Sequence, residues 1–201
     1  MKPKETTGQS PSDVQESLGT LLRQRRKAIG MTMKDVAQQA GLTEGFISQI
    51  ERGISTPSLM TLYNVANALG TSIDSFLKQP PPHEHSIVSR AATRQTYNIE
   101  SPERVYELIE HGFPGAQLTG CITHVPVGYT SEMTTHEGED FLYLIEGELV
   151  YEINGKEYHL KAGDTLHFPS SLPHRARNVG TVSARELWVG TTPVFAHKDK
   201  K

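Results

Sequence analysis

Residues 33–52 read MKDVAQQAGLTEGFISQIER, and this stretch decides the architecture of the first part of the chain. Thr32-Met33-Lys34-Asp35 has the layout of a capping box with Asp in place of the usual Glu, and Val36, Ala37 and Ala40 give a small apolar face that stops at Gly41. A helix of about two turns fits between them. Thr43 is the expected N-cap of the next helix, which runs to Gly53. At about 100° per residue, Phe46, Ile47 and Ile50 fall on one side, with Glu44, Gly45, Ser48 and Arg52 opposite and Gln49 at the edge. The first side is core, and the second is free to contact a partner.

Helical punctuation continues in both directions. Upstream, Leu18, Leu21, Leu22, Arg25 and Ile29 share a face that ends at Gly30, and Arg23, Arg25, Arg26 and Lys27 cluster on the same helix. Downstream, Thr56-Pro57 reads as an N-cap followed by proline at N1. Leu59, Leu62, Val65, Ala66 and Leu69 form the stripe of a fourth helix ending at Gly70, and Ile73, Phe76 and Leu77 make a short fifth. A short helix, a tight glycine turn and a helix with a polar outer face make a helix-turn-helix. Residues 18–77 resemble the lambda-repressor/Cro-like (xenobiotic-response-element) family, with Ser48-Gln49-Ile50-Glu51-Arg52-Gly53 as the most diagnostic segment.

That resemblance implies a DNA-binding unit at 33–52 and a recognition helix at 44–52, whose amino-terminal end enters the major groove of double-stranded operator DNA. Thr43, Glu44 and Gly45 then face the groove, Gln49 is suited to an adenine edge, and Ser48 to a base or a phosphate. Arg52 and the cations of the first helix suit phosphates. Met33 stands where the family often has a DNA-contacting Gln. The competing reading makes Glu51-Arg52 a structural pair and Arg23 to Lys27 a solvated face.

Cutting the chain at three consecutive prolines, Pro80 to Pro82, separates two chemistries. Residues 1–80 carry nine Lys and Arg against seven Asp and Glu, whereas residues 81–201 carry eleven against sixteen and hold all nine histidines. The sign change predicts two domains with different partners. Expected boundaries are a tail at 1–16, the helix-turn-helix domain at 17–78, a proline-rich linker at 79–86, lead-in strands at 87–116, a second domain at 117–195 and a tail at 196–201. No apolar run approaches the roughly 20 residues of a membrane span, and no signal-peptide core is present, so a cytoplasmic, membrane-free protein is expected. With the single Cys121, any metal must be held by His and carboxylate.

From Gln117 onward, runs rich in Val, Ile, Tyr, Phe and Thr alternate with Gly, Pro and Asn turns, the pattern of an all-β sandwich or barrel. Glu146-Gly147-Glu148 and Asn154-Gly155 read as hairpin turns, the second of type I′. Phe141 to Ile145 is apolar on both faces, as in a strand buried on both sides. Gly128, Thr134, His136, Asp140 and Gly147, followed by Gly163-Asp164, His174 and Asn178, resemble the two cupin motifs across residues 115–192. The chain is therefore expected to be α+β: an all-α five-helix domain followed by an all-β double-stranded β-helix.

The cupin resemblance implies a pocket in the barrel mouth lined by Thr134, His136, Asp140 and His174, the first three sharing strand parity. A typical cupin site has three His and one Glu. Here Thr134 replaces a His and Asp140 the Glu, which favours a metal-free polar pocket, with a divalent Zn, Fe, Mn or Ni ion on His136, Asp140 and His174 as the alternative. His124, His159 and His167 read as structural, and His83 and His85 flank the linker. Together the two resemblances imply a homodimeric, non-enzymatic repressor whose cupin binds a small amine, amino acid or peptide-like effector. The alternatives are a metal-dependent cupin dioxygenase or isomerase fused to a DNA-binding domain, and a metal sensor.

Overall fold

The computed structural model describes residues 17–77, 87–94, 96–99, 104–110, 113 and 115–195. The expected tails at 1–16 and 196–201 and the whole linker at 79–86, with His83 and His85, lie outside the described residues.

Each of the first helices starts where a side chain meets the unpaired amides of its first turn. Helix α1 (Leu18–Ala28) is capped by Ser17, and α2 (Met33–Ala40) by the reciprocal box. In that box the Asp35 amide donates to Thr32 Oγ1 at 3.1 Å and the Thr32 amide donates to Asp35 Oδ2 at 2.8 Å. Helix α3 (Glu44–Glu51) is capped by Thr43. The fourth helix begins later than Thr56-Pro57 predicts: α4 spans Leu59–Ala68 and its cap is Ser58, whose hydroxyl accepts from the Thr61 amide at 3.1 Å. The expected fifth helix is a 3₁₀ turn, Ile73–Ser75. Ile29 is exposed because α1 ends one residue before it.

Two features bind α1 to the recognition unit. Gly19 passes so close to the carbonyls of Ile50 and Glu51 that a Cβ would collide with them. Arg26 forms a two-pronged ion pair with Glu51, at 2.5 and 2.8 Å, and also donates to the Met31 carbonyl. Both side chains are largely buried. Glu51 thus pairs with Arg26 and not with its neighbour Arg52.

The described β-strands are β1 (Thr96–Asn98), β2 (Val105–Leu108), β3 (Thr119–Val125), β4 (Glu139–Glu146), β5 (Glu148–Ile153), β6 (Lys156–Lys161), β7 (Thr165–Pro169), β8 (His174–Arg177) and β9 (Ala184–Gly190). They form a six-stranded sheet ordered β1-β2-β3-β9-β4-β7 and a three-stranded sheet ordered β6-β5-β8, antiparallel throughout. Asn154 (φ 49°) and Gly155 (φ 77°) close the β5–β6 hairpin with both central residues left-handed, as a type I′ turn requires. Gly147 corrects the other expected hairpin. Glu146 pairs with Arg185 in one sheet and Glu148 with Lys161 in the other, so Gly147 carries the chain from sheet to sheet. Its φ is 83°, and a Cβ there would lie 2.8 Å from Ala184 Cα. The expectation for β4 also fails on one face: Leu142 and Leu144 are buried, while Phe141 and Tyr143 remain about 40 % exposed.

A single buried cluster runs from Leu18 through Leu62 and Ile73 to Tyr106, Leu144 and Phe195, so the helical and β parts share one apolar interior. Among the described residues no helix is long and apolar enough to cross a membrane.

Removing one partner of a largely buried ion pair strands the other, so Glu51→Ala should lower unfolding free energy by about 3 kcal/mol, read from denaturant titration.

Candidate functional site

On α3, Glu44, Gly45 and Gln49 are exposed, as is Arg52 at the helix end, and Ser48 is half-buried. Gln49 Oε1 accepts from the Ser55 hydroxyl at 3.0 Å, and Arg52 Nε donates to the Ser48 carbonyl at 3.1 Å, which pre-orders both side chains. Thr43 is engaged as the cap, its hydroxyl accepting from the Phe46 amide. Met33 packs against the core at the start of α2. Of the α1 cations, Arg25 donates to the Leu69 and Gly70 carbonyls and Arg26 to Glu51, so these two hold the fold, while Arg23 and Lys27 are solvent-facing.

In the barrel, His136, Asp140 and His174 converge, with one ligand atom from each within 4.8 Å of the others. Asp140 Oδ2 lies 3.4 Å from His136 Nε2 and 3.6 Å from His174 Nε2. Shared strand parity is not what assembles them, since only Asp140 lies on β4. Thr134 and His136 precede the strand: Thr134 bridges to His174 through a reciprocal pair of backbone hydrogen bonds, and the His136 amide donates to the Ser170 carbonyl.

Both imidazoles are oriented by backbone carbonyls. His174 Nδ1 donates to the Leu172 carbonyl at 2.8 Å, and His136 Nδ1 lies 3.1 Å from the Glu137 carbonyl, a group that only accepts. Each ring therefore presents its Nε2 lone pair to the cluster. Burial holds the His174 pKa below the ordinary histidine value, keeping the ring neutral. His136 Nε2 and Asp140 Oδ1 are buried without a hydrogen-bond partner. These distances are close to the roughly 3.4 Å edge of a tetrahedron with bonds of about 2.1 Å, so two nitrogens and one carboxylate fit a divalent Zn, Fe, Mn or Ni ion. Beside that set, the Thr134 hydroxyl accepts from Asn64 Nδ2 of α4 at 3.3 Å.

Beside the triad lies a cavity of about 80 Å³, with Thr134, Asp140 and His174 in its wall. Its roof is Ser58, Leu59 and Met60, the start of α4. Glu132 Oε2 accepts from the Ser58 amide at 3.3 Å and the Thr61 hydroxyl at 3.1 Å, and Tyr106 Oη accepts from the Leu59 amide at 3.1 Å. Opposite, Glu186 accepts from the Tyr151 hydroxyl at 2.6 Å, and its burial pushes the carboxyl above the usual glutamate value despite that bond and the nearby Arg104. Cys121 also lines the cavity, its thiol pushed up to about 12 by burial.

Arg104, Glu132 and Glu186 escape the sequence motifs. For Glu186 a signal exists, because alternation in Ala-Arg-Glu-Leu-Trp puts Ala184, Glu186 and Trp188 on one face and so an acid on the tryptophan side. Arg104 and Glu132 stand in loops with no period to read. Asn178 is scaffold, its amide donating to the Val125 and Val182 carbonyls. His124 and His167 pair with Glu107 and Glu139, at 2.6 and 2.9 Å, and His159 is exposed. Arg175, Arg177 and Arg185 pair with Glu152, Glu157 and Glu146.

The Helix-turn-helix family matches residues 22–76 and the Cupin domain family residues 121–190. The HTH-type transcriptional regulator PuuR of Escherichia coli K12 is 29 % identical over 179 residues, spanning 88 % of this chain and 96 % of its own. The chain combines a helix-turn-helix domain with a cupin domain and is homologous to HTH-type transcriptional regulators. A second regulator of this group, the HTH-type transcriptional regulator SutR of Escherichia coli K12, is 28 % identical over 170 residues, covering 81 % of this chain and 88 % of its own. Among solved structures, an HTH_3 family transcriptional regulator from Vibrio cholerae superposes with a TM-score of 0.56 at 20 % identity, covering 88 % of this chain and 95 % of that one, a likeness of fold.

Because the native fold favours protonated Glu186, the group's contribution to stability is complete below the ordinary glutamate pKa of 4.5 and is lost as pH rises through its raised value. The stability of the native protein minus that of Glu186→Gln should fall as pH rises above about 4.5 in denaturant unfolding.

Proposed function

We propose that this regulator is a dimeric, cytoplasmic repressor whose cupin cavity takes a small metabolite and passes its occupancy to the DNA-binding unit. The observation that carries this reading is the roof of the cavity: a ligand there touches Ser58, Leu59 and Met60, the first turn of a helix that packs against α2. A ligand that binds more tightly to one placement of α4 than to another shifts the equilibrium between them, and with it the pose of α2 and α3. The unpartnered Nε2 and Oδ1 atoms beside the cavity support a divalent metal on His136, Asp140 and His174 as an anchor for that ligand.

For DNA, Gln49 reads a base edge and Ser48 a base or phosphate, with Thr43, Glu44 and Gly45 lining the approach and Arg52 on the backbone. Met33 contributes packing. One copy with so few free cations has modest affinity, and two copies on a two-fold operator supply the rest. The surface that supports self-association is the outer face of the six-stranded sheet. There Ile122 lies opposite Leu187, which lies opposite Tyr143, and Val189 lies opposite Phe141. Phe141 and Tyr143 keep about 40 % of their surface in water, and a second copy of the same face would cover them.

Two measurements test these parts separately. The double variant Gln49→Ala, Arg52→Ala should melt like the native protein and lose roughly tenfold or more in affinity for its own promoter fragment by mobility shift, since a good bidentate base contact is worth about 1–3 kcal/mol; unchanged affinity would refute the assigned contacts. Tyr143→Asp should halve the mass seen by light scattering and weaken promoter binding, whereas an unaltered dimer would place the interface elsewhere.

A further inference from the structure

Arg104 stands at the entrance to β2 and lines the cavity. Its guanidinium carbon lies 3.9 Å from the centroid of the Tyr129 ring and 5.0 Å from that of Tyr106. The two rings meet the group with their faces, and neither hydroxyl oxygen accepts from its Nε or Nη1. Nε and Nη1 are buried, and neither has a hydrogen-bond partner among the described residues. A guanidinium is permanently charged and presents its donors as a rigid planar fork, so two buried, unmet donors are a standing demand for an acceptor. The neighbouring Arg175 has met the same demand with Glu152, at 2.6 Å.

Each acid in the cavity has one oxygen engaged elsewhere, and Asp140 Oδ1 is left without a partner. Asp140 turns Oδ2 to the two imidazoles, and Glu186 is bound by the Tyr151 hydroxyl and leans towards its neutral form through burial. Among the described residues neither forms an ion pair with Arg104, although its charge is felt at Glu186. Above, the first turn of the ten-residue α4 adds the positive end of a helix dipole. The wall also includes Leu142, Ala176 and Trp188, which can cover a short carbon chain.

We infer that this end of the cavity takes the carboxylate of a short-chain organic acid, held by the fork of Arg104 beneath the amino terminus of α4. This rests on the cavity being the effector site. Nε and Nη1 lie on different edges of the group, so a carboxylate pairs in the plane along one edge, taking Nη2 together with one of them, which is the bidentate geometry in which the two ions match. A cationic amine at this position would face a like charge, and a neutral amide would leave the charge unmatched. Size limits the ligand as well: at roughly 10–15 Å³ for each water, about 80 Å³ admits a molecule of roughly six non-hydrogen atoms.

Trp188 is the one tryptophan of the sequence and lines the same cavity, so its fluorescence reports occupancy. The full-length protein is titrated with propionate, lactate and succinate, with propionamide and propylamine as neutral and cationic counterparts, and with inorganic phosphate as a second oxyanion. The expected result is a saturable change with a carboxylate and none with its counterparts. Affinity should fall roughly tenfold or more in Arg104→Gln and recover in part in Arg104→Lys, with circular dichroism and promoter binding without ligand confirming that both are folded. The counterpart series on the native protein tests the assignment without any variant. Saturation by propylamine, propionamide or phosphate in preference to the carboxylates, or equal carboxylate affinity in a folded Arg104→Gln, overturns the assignment and leaves the cavity as an effector site. No saturable response to any of the probes overturns the assignment and the cavity reading together.

Discussion

Glu132 holds the amino terminus of α4, and the relation between the two halves of the protein depends on that contact. Its Oε2 meets the Ser58 amide and the Thr61 hydroxyl, while the Ser58 hydroxyl donates to Thr61 Oγ1 at 2.8 Å. A carboxylate against the first turn of a helix is favoured both by the unpaired amides and by the dipole. Tyr106 from β2 and Asn64 reaching to Thr134 add hydrogen bonds on either side of this one. The helix that completes the DNA-binding core is thereby also the ceiling of the barrel. The wall below the ceiling carries Asp140 and His174, and one end of it carries Arg104.

What was legible in the sequence is what local chemistry decides. The caps at Thr32 and Thr43 rest on contacts three residues apart, and a reader of the chain has both partners in view. The Asn154-Gly155 turn is legible for the same reason, since its left-handed pair suits the twist of the flanking strands. Gly147 was not, because a left-handed glycine between two acidic residues serves a hairpin and a sheet-to-sheet crossing equally. The choice is made by Ala184, thirty-seven positions away, which packs against the bare Cα. Thr56 and Ser58 are comparable caps as residues, and the helix begins after Ser58, the residue whose amide Glu132 also binds.

The candidate site divides along the same line. His136, Asp140 and His174 were legible through the resemblance to the cupin motifs, and the structure brings them together by backbone bonds from residues 134 and 136 to His174 and Ser170 and not by alternation along one strand. Phe141 and Tyr143 look like core because they are apolar, yet burial requires a covering layer and the described residues supply none on that face. Arg104 carries no pattern at all. Its significance comes from what surrounds it among the described residues, two aromatic rings and no acceptor for Nε or Nη1, and that is a property of the assembled barrel.

The energetics of the interface bear on whether a small ligand is enough to operate such a device. A hydrogen bond across it contributes a net of about 0.5–1.5 kcal/mol, somewhat more where a charged group such as Glu132 takes part. Allosteric coupling in regulators is typically about 1–3 kcal/mol, a change of roughly five- to 150-fold in affinity. Exchanging one or two bonds at the first turn of α4 therefore covers the whole range. A molecule of a few atoms lying under Ser58 to Met60 is in contact with those bonds directly, and no relay through the barrel is needed. The same arithmetic limits the design from the other side. Were the contact of Glu132 with α4 much stronger, no ligand of this size could alter it, and the cavity would hold its occupant without consequence for the DNA.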